Sequence, residues 1–225
     1  MTAPTALFDL DGTLVESGPG IIAAVRGAMA SLGHALDAAE DFSWVVGPPL
    51  ADVFARLLAP FDAAAESPEA MQRYRDAFET VAALASPFFP GITDALAAFQ
   101  AAGWTLFVAT SKPEAVARRI LAHERRDAAF RRIYGALDDV TLAHKPELIA
   151  RLLAREALNP RRTVMIGDRS FDIAGAHANG MRAVGVLWGY GGAAELEQAG
   201  ADAIAGNPAE LLDRAAGLLQ SGSAP

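Results

Sequence analysis

Short apolar runs alternate with amphipathic stretches along most of the chain, and the two patterns predict different elements. The apolar runs predict strands at positions 6–8, 104–109, 133–135, 163–167, 183–187 and 201–204. Stretches with helical spacing, bounded by glycine or proline, predict helices at 92–102, 114–122, 147–157, 171–179, 194–199 and 208–219. Strands that alternate with helices are typical of a parallel sheet covered on both faces. The predicted fold class is therefore α/β, with a Rossmann-like parallel sheet.

Residues 17–85 interrupt this alternation. Helical patterns occupy 18–32, 50–58 and 69–84, and no convincing strand lies between them. An ordinary crossover is the alternative, but roughly 70 residues far exceed the usual connection between two elements. We therefore predict an inserted α-helical cap at 17–85 and a core formed by 1–16 and 86–225.

Three of the predicted strands end in polar side chains. These are Asp9 and Asp11, then Thr110 with Ser111, and then Asp168 with Asp172 four positions on. Open α/β sheets gather their ligand sites at the carboxyl edge, so these groups are expected to meet. Two buried like charges are unfavourable by several kcal/mol without a compensating cation, which a divalent metal would supply. A surface turn at Asp11-Gly12 is the simpler alternative for the first pair taken alone.

The two lysines of the chain lie beside these groups. Of the 19 basic residues, only Lys112 and Lys145 are lysine, and the others are arginine. A compact ammonium fits a tight pocket as a point charge, whereas guanidinium is larger and prefers planar partners. Carboxylates, a hydroxyl and an ammonium at one sheet edge would bind Mg²⁺ and a phosphoryl group.

Composition limits the possible partners. The net charge of −8 argues against nucleic acid, so an anionic substrate needs a local positive site. No apolar run approaches the roughly 20 residues that span a bilayer, and the first strand leaves no room for a signal peptide. Absent cysteines exclude disulfides. We expect a cytoplasmic protein without a membrane partner; the pattern defines no oligomeric state.

The polar groups resemble the four motifs of the haloacid dehalogenase superfamily. Asp-Leu-Asp-Gly-Thr at 9–13, Thr110, Lys145 and Gly-Asp-Arg-Ser-Phe-Asp at 167–172 follow the motif order at suitable spacing. The resemblance covers essentially the whole chain and is closest to the phosphoglycolate phosphatase-like branch, which has a helical cap between its first two motifs. Segments 47–50, 110–113 and 187–191 are similar to a subgroup described as phosphoglycolate phosphatases or 5′-nucleotidases.

This resemblance implies a Mg²⁺-dependent phosphatase that acts on a small phosphorylated metabolite. Asp9 is the implied nucleophile, forming an aspartyl-phosphate, and Asp11 the implied proton donor and acceptor. The implied metal ligands are Asp9, the carbonyl oxygen of Asp11, and Asp168, with Asp172 as a supporting group behind them. The implied substrate-binding residues are Gly12, Thr110, Ser111 and Lys145.

Several alternatives stay open. A sugar-phosphate mutase would share all four motifs, although Gly167-Asp168 in place of Glu-Asp favours hydrolysis. A binding protein without turnover has no need of both Asp9 and Asp11. Phosphoglycolate and a nucleoside monophosphate are not separated, because the cap makes that choice. Lys112 either contacts substrate or caps a helix, and Arg169 is interpreted as solvated. Candidates for cap contacts with the leaving group are Gly47, Arg56, Tyr74 and Arg75.

Overall fold

A parallel sheet of six strands forms the centre of the computed structural model, which describes residues 3–78, 86–137 and 141–221. The strands are β1 (Thr5–Phe8), β2 (Thr105–Pro113), β3 (Arg132–Ala136), β4 (Thr163–Gly167), β5 (Arg182–Val186) and β6 (Ala203–Ala205). Their order is β3-β2-β1-β4-β5-β6, and every pairing in the sheet is parallel. The predicted α/β class and Rossmann-like sheet are confirmed.

Helices cover both faces of this sheet. They are α4 (Ile92–Ala101), α5 (Glu114–His123), α6 (Lys145–Glu156), α7 (Ser170–Ala178), α8 (Gly192–Gln198) and α9 (Leu211–Ser221). Successive strand residues point to opposite faces, so Leu7 and Phe8 belong to two separate apolar clusters. Burial on both sides explains why the strands read as continuous apolar runs. Among the described residues, no helix combines the length and apolarity that crossing a membrane requires.

The strand order places a crevice at the carboxyl end of β1. The chain leaves β1 for β2 on one side and later returns to β4 on the other, which makes this position the switch point of the sheet. The amide of Asp9 continues the ladder, donating to the carbonyl oxygen of Ile166 at 2.9 Å. Residues that follow β1 and β4 therefore face one another.

Strand β2 continues beyond its predicted end at 109. Ala109 lies opposite Tyr134 and Pro113 opposite Ala136, so the longer stretch on β2 bulges away from β3. Gly135 permits this approach, because a Cβ there would lie 2.5 Å from the carbonyl oxygen of Lys112. The bulge carries Thr110, Ser111 and Lys112.

The segment that interrupts the alternation is helical where it is described. It contains α1 (Gly18–Ser31), α2 (Leu50–Leu58) and α3 (Ser67–Ala77), with α3 packed against both others. The end of the helix predicted at 69–84 lies outside the described residues, which resume at position 86. The chain leaves and re-enters the core side by side, since the amide of Glu16 donates to the carbonyl oxygen of Pro87 at 2.9 Å. The cap boundaries at 17 and 85 remain predictions.

Candidate active site

The turn after β1 brings Asp9 and Asp11 into one buried position. Both carboxylates are almost fully buried, and both line the same cavity. Gly12 follows with φ +84°, and a Cβ there would lie 2.3 Å from Oδ2 of Asp168. Glycine is thus required here for its backbone conformation and for the close approach of Asp168.

Lys145, the first residue of α6, is the centre of a buried ion-pair network. Its Nζ lies 2.7 Å from Oδ1 of Asp9 and 2.5 Å from Oδ1 of Asp172. It also donates to the carbonyl oxygen of Ala109 at 2.9 Å, so all three N–H donors have partners. Burial by itself lowers the pKa of Lys145, but the two carboxylates raise it overall, and the ammonium stays charged.

Asp168 follows β4 and is fully buried. Its Oδ1 accepts from the hydroxyl of Thr13 at 3.2 Å, and its Oδ2 accepts from the amide of Tyr190 at 2.8 Å. Asp172, in the first turn of α7, accepts from the amide of Arg169 at 3.1 Å. Thr13 and Tyr190 were not predicted as site residues, although both lie in segments that carried the family resemblance.

Three of the carboxylates form a cluster that fits a divalent cation. Asp9, Asp168 and Asp172 each offer an oxygen, and these oxygens lie within 4.8 Å of one another. Burial raises the pKa of Asp9 to about 7, with Lys145 opposing and the neighbouring carboxylates adding to the rise. Burial also raises the pKa of Asp168 well above its ordinary value. Negative charge exceeds the single ammonium, and hard carboxylate oxygens are the donors that Mg²⁺ prefers.

This cluster differs in composition from the predicted ligand set. It contains Asp9 and Asp168 as predicted, and in addition Asp172, which was expected behind the metal. The cluster consists of side-chain oxygens, so the main-chain carbonyl oxygen of Asp11 stays a predicted ligand. Both oxygens of Asp172 already accept bonds, from Lys145 and from the amide of Arg169. The supporting position of Asp172 stays a prediction.

Lys112 contacts the second aspartate of the first motif. Its Nζ lies 3.1 Å from Oδ2 of Asp11 and 4.3 Å from the centre of the Phe78 ring. Oδ1 of Asp11 is buried and has no hydrogen-bond partner among the residues that the structure describes. Lys112 was expected either to contact substrate or to cap a helix, and its contact with Asp11 places it at the site.

Thr110 and Ser111 line the same cavity as Asp9 and Asp11. The Thr110 hydroxyl accepts from the amide of Lys112 at 3.2 Å, which holds the bulge of β2 in shape. Gly12 and Lys145 do not line the cavity; Lys145 lies behind Asp9. The structure thus brings the predicted site residues together. Some of them line the cavity, and the others lie behind these.

The cavity has a volume of about 310 Å³, and helical segment 18–78 forms its far wall. The lining residues from that segment are mostly apolar: Ile21, Val45, Gly47, Pro48, Leu50, Tyr74, Arg75 and Phe78. Three of the four candidates for cap contacts are therefore on the wall. Arg56 is not, since its guanidinium lies 3.8 Å from the centre of the Trp44 ring.

The expectation that Arg169 is solvated is wrong. Only 7% of the residue is exposed. Its Nη1 donates to the carbonyl oxygen of Val46, and its Nε donates to Oε1 of Glu195 at 3.0 Å. The cause is long-range: Val46 lies 123 positions away, in the loop that forms part of the cavity wall.

Comparison with known proteins identifies the family of this chain. The sequence profile of the haloacid dehalogenase-like hydrolase family matches residues 6–186. A 5′-nucleotidase from Pseudomonas aeruginosa is 41% identical over 193 residues, which cover 86% of each chain. A phosphoglycolate phosphatase from Xylella fastidiosa is 33% identical over 83% of this chain and 81% of its own length.

Two further relatives widen the range of named activities. The tyrosine-protein kinase PtkA from Mycobacterium tuberculosis is 38% identical over 82% of this chain, a match that spans 62% of that protein. The crystal structure of a predicted phosphatase from Clostridium acetobutylicum superposes with a TM-score of 0.88 at 30% identity, covering 97% of this chain and 100% of its own.

Proposed function

Because this chain belongs to the haloacid dehalogenase-like hydrolase family, we propose that it is a Mg²⁺-dependent phosphatase acting on a small phosphomonoester. The observation that carries the proposal is the buried network in which Lys145 pairs with Asp9 and Asp172 beside Asp168. Carboxylates and an ammonium at the end of β1 suit the transfer of a phosphoryl group. None of the relatives described above is named a mutase, so that alternative gains no support.

Asp9 is the proposed nucleophile. Its carboxylate attacks phosphorus, the bond between phosphorus and the leaving oxygen breaks, and an aspartyl-phosphate forms. Lys145 holds this carboxylate at 2.7 Å, and its positive charge stabilises the transferring phosphoryl group. Mg²⁺, when bound, would supply further positive charge there, with Asp9, the carbonyl oxygen of Asp11 and Asp168 as its proposed protein ligands.

Asp11 is the proposed general acid and base. It gives a proton to the leaving oxygen, then takes one from the water that hydrolyses the aspartyl-phosphate. Lys112 holds one Asp11 oxygen at 3.1 Å, while the other oxygen has no partner in the described part of the chain. Thr110 and Ser111, on the cavity wall, would donate to the phosphoryl oxygens, and Gly12 would let the backbone approach them.

The cavity supports a ring-bearing leaving group over glycolate. The carboxylate of phosphoglycolate would need a cation of its own, but Lys112 already pairs with Asp11, and Arg75 donates to Gln72 at 2.8 Å. Tyr74 and Phe78 instead offer aromatic surface on the wall. We therefore favour a nucleoside 5′-monophosphate as substrate. In this proposal the protein is cytoplasmic, and residues 17–85 act as the cap over a core formed by 1–16 and 86–225.

A screen of phosphate release tests the proposal. The purified protein with Mg²⁺ is offered nucleoside monophosphates, phosphoglycolate, sugar phosphates and an aryl phosphate, with Asp9→Asn as the inactive control. We expect the highest kcat/KM for a nucleoside monophosphate. Release from no phosphomonoester would contradict the phosphatase. Isomerisation of a sugar phosphate without free phosphate would instead establish the mutase, and a preference for phosphoglycolate would overturn the substrate assignment alone.

A further inference from the structure

Arg169 joins the wall of the cavity to the acidic cluster. From its place directly after Asp168, its side chain extends to the carbonyl oxygen of Val46 and is anchored by Glu195 at 3.0 Å. The same Glu195 oxygen accepts from the amide of Ser170 at 2.7 Å, which fixes the start of α7. Arg169 therefore has hydrogen-bond partners in both the core and the inserted segment.

The packing around Gly47 shows that this contact is close. A Cβ on Gly47 would lie 2.9 Å from Cγ of Arg169, and the φ of Gly47 is +107°. Val45 and Gly47 line the cavity, so the Arg169 side chain supports that part of the wall from behind. A ligand that presses on Val45 and Gly47 acts on the two neighbours of Val46, whose carbonyl oxygen accepts from Arg169.

On its other side, Arg169 is bonded to the ion-pair network. Its amide donates to Oδ2 of Asp172 at 3.1 Å, while Oδ1 of Asp172 accepts from Lys145 at 2.5 Å. Lys145 in turn pairs with Asp9 at 2.7 Å. A continuous set of polar contacts thus runs from the cavity wall to the proposed nucleophile.

Tyr190 forms a second connection between Asp168 and the inserted segment. The hydroxyl of Tyr190 accepts from the amide of Gly18, at the start of the inserted segment, at 2.9 Å. The amide of Tyr190 donates to Oδ2 of Asp168 at 2.8 Å. Gly18 lies so near the ring that a Cβ would approach it to 2.4 Å. Two residues next to Asp168 thus contact the inserted segment: Arg169 contacts Val46, and Tyr190 contacts Gly18.

We propose that Arg169 and Tyr190 are positioning residues that couple occupancy of the cavity to binding of the divalent cation. The inference rests on the proposed function. Tyr190 orients Asp168, a proposed Mg²⁺ ligand, and Arg169 is connected to Asp9, another proposed ligand, through Asp172 and Lys145. A ligand that holds the wall in place preserves the bonds to Val46 and Gly18, and those bonds order the loops around Asp168. By linkage, bound Mg²⁺ then strengthens ligand binding by the same factor.

Calorimetric titration of Mg²⁺ into the full-length protein tests the coupling. The Kd for Mg²⁺ is measured alone, with inorganic phosphate, and with phenylphosphonate, whose phosphorus–carbon bond is not hydrolysed. Phosphate reports the direct effect of an anion, and phenylphosphonate adds a ring in the cavity. We expect phenylphosphonate to tighten Mg²⁺ binding roughly five- to tenfold more than phosphate does, a coupling of ordinary size.

Arg169→Gln is expected to abolish this difference between the two ligands while Mg²⁺ still binds. The matched control is Arg214→Gln, which removes an exposed arginine paired with Glu210 at 3.0 Å, remote from the cavity. The control should keep the wild-type difference. Arg169→Lys, which keeps the charge but has its donors on a single nitrogen, should restore part of the difference.

Tyr190→Phe removes only the hydroxyl that accepts from Gly18, so it keeps the prediction testable if Arg169→Gln does not fold. We expect it to reduce the difference while leaving the Kd for Mg²⁺ alone within about twofold. Full wild-type coupling in both Arg169→Gln and Tyr190→Phe would overturn the inference. Failure of the wild-type protein to bind Mg²⁺ at all would contradict the proposed function as well, and is seen before any variant is made.

Discussion

The two ends of the cavity are built by different kinds of interaction. At the floor, Asp9 lines the cavity, and Lys145 behind it pairs with Asp9 at 2.7 Å and with Asp172 at 2.5 Å. At the wall, Tyr74 and Phe78 stack with ring centres 5.4 Å apart and contribute apolar surface. Directional bonds between buried charges tolerate little change in chemistry, whereas apolar packing accepts substitutions of similar volume. The floor should therefore determine whether the reaction occurs, and the wall should determine on which substrate.

The two lysines repeat this contrast. Among the residues that the structure describes, the partners of Lys145 all come from the core: Asp9, Asp172 and the carbonyl oxygen of Ala109. Lys112 contacts Asp11 of the core and the Phe78 ring of the inserted segment. The first lysine belongs wholly to the floor, and the second lies where floor and wall meet.

Replacing the proposed nucleophile gives the largest expected effect. Asp9→Asn should lower kcat by at least roughly 10³-fold, because an amide cannot accept the phosphoryl group. The measurement is phosphate release from the best substrate of the screen, with circular dichroism to verify the fold. Asp213→Asn, which changes an exposed carboxylate on α9, is the control and should be fully active. Substantial turnover by Asp9→Asn would refute this role.

Metal removal comes next. Dialysis against EDTA should abolish phosphate release, and added Mg²⁺ should restore it, because the oxygens of Asp9, Asp168 and Asp172 lie within 4.8 Å of one another with only one ammonium among them. Ca²⁺ should restore little activity, since it prefers looser coordination than Mg²⁺. Mg²⁺ should also raise the Tm of the EDTA-treated protein. Undiminished turnover in metal-free buffer would contradict the assignment.

Substituting each lysine compares a residue of the floor, Lys145, with a residue at the junction of floor and wall, Lys112. Lys145→Met should destabilise the protein by about 3–5 kcal/mol, because it leaves buried carboxylates without their cation. Lys112→Met should be milder, since Lys112 pairs with one carboxylate, Asp11, which retains slight exposure, whereas Lys145 pairs with two. Urea unfolding measures both free energies, and kcat is followed in parallel. Equal losses of stability would show that the two lysines do not differ in the way their partners indicate.

The strands of the floor could be predicted because each is a local pattern. Apolar runs located β1 and β4, and the polar residues after them marked the edge at which Asp9 and Asp168 meet. The bulge of β2 could not be predicted, since it depends on Gly135 in the neighbouring strand. The burial of Arg169 could not either, because its partner Val46 is 123 positions away.

The wall was less predictable for a related reason. Helical periodicity located α1, α2 and α3, but which of their side chains line the cavity depends on how the segment packs against the core. Tyr74 lines it, whereas Arg56, considered on the same grounds, lies against Trp44. The meeting of residues that follow β1 and β4 can be predicted from the fold class. The side chains of an inserted helix that line the cavity cannot be predicted without the tertiary structure.

The smallest expected effect belongs to the wall. Phe78→Leu keeps an apolar residue but loses the aromatic face, so KM for a nucleoside monophosphate should rise about five-fold, the equivalent of roughly 1 kcal/mol, with kcat nearly unchanged. The control is Phe61→Leu, an exposed phenylalanine on the same segment. The centre of the Phe78 ring also lies 4.3 Å from Nζ of Lys112, so the experiment tests a second role for the ring. A fall in kcat at constant KM would mean that the ring acts through Lys112 and Asp11, and the separation between floor and wall would then fail at this residue.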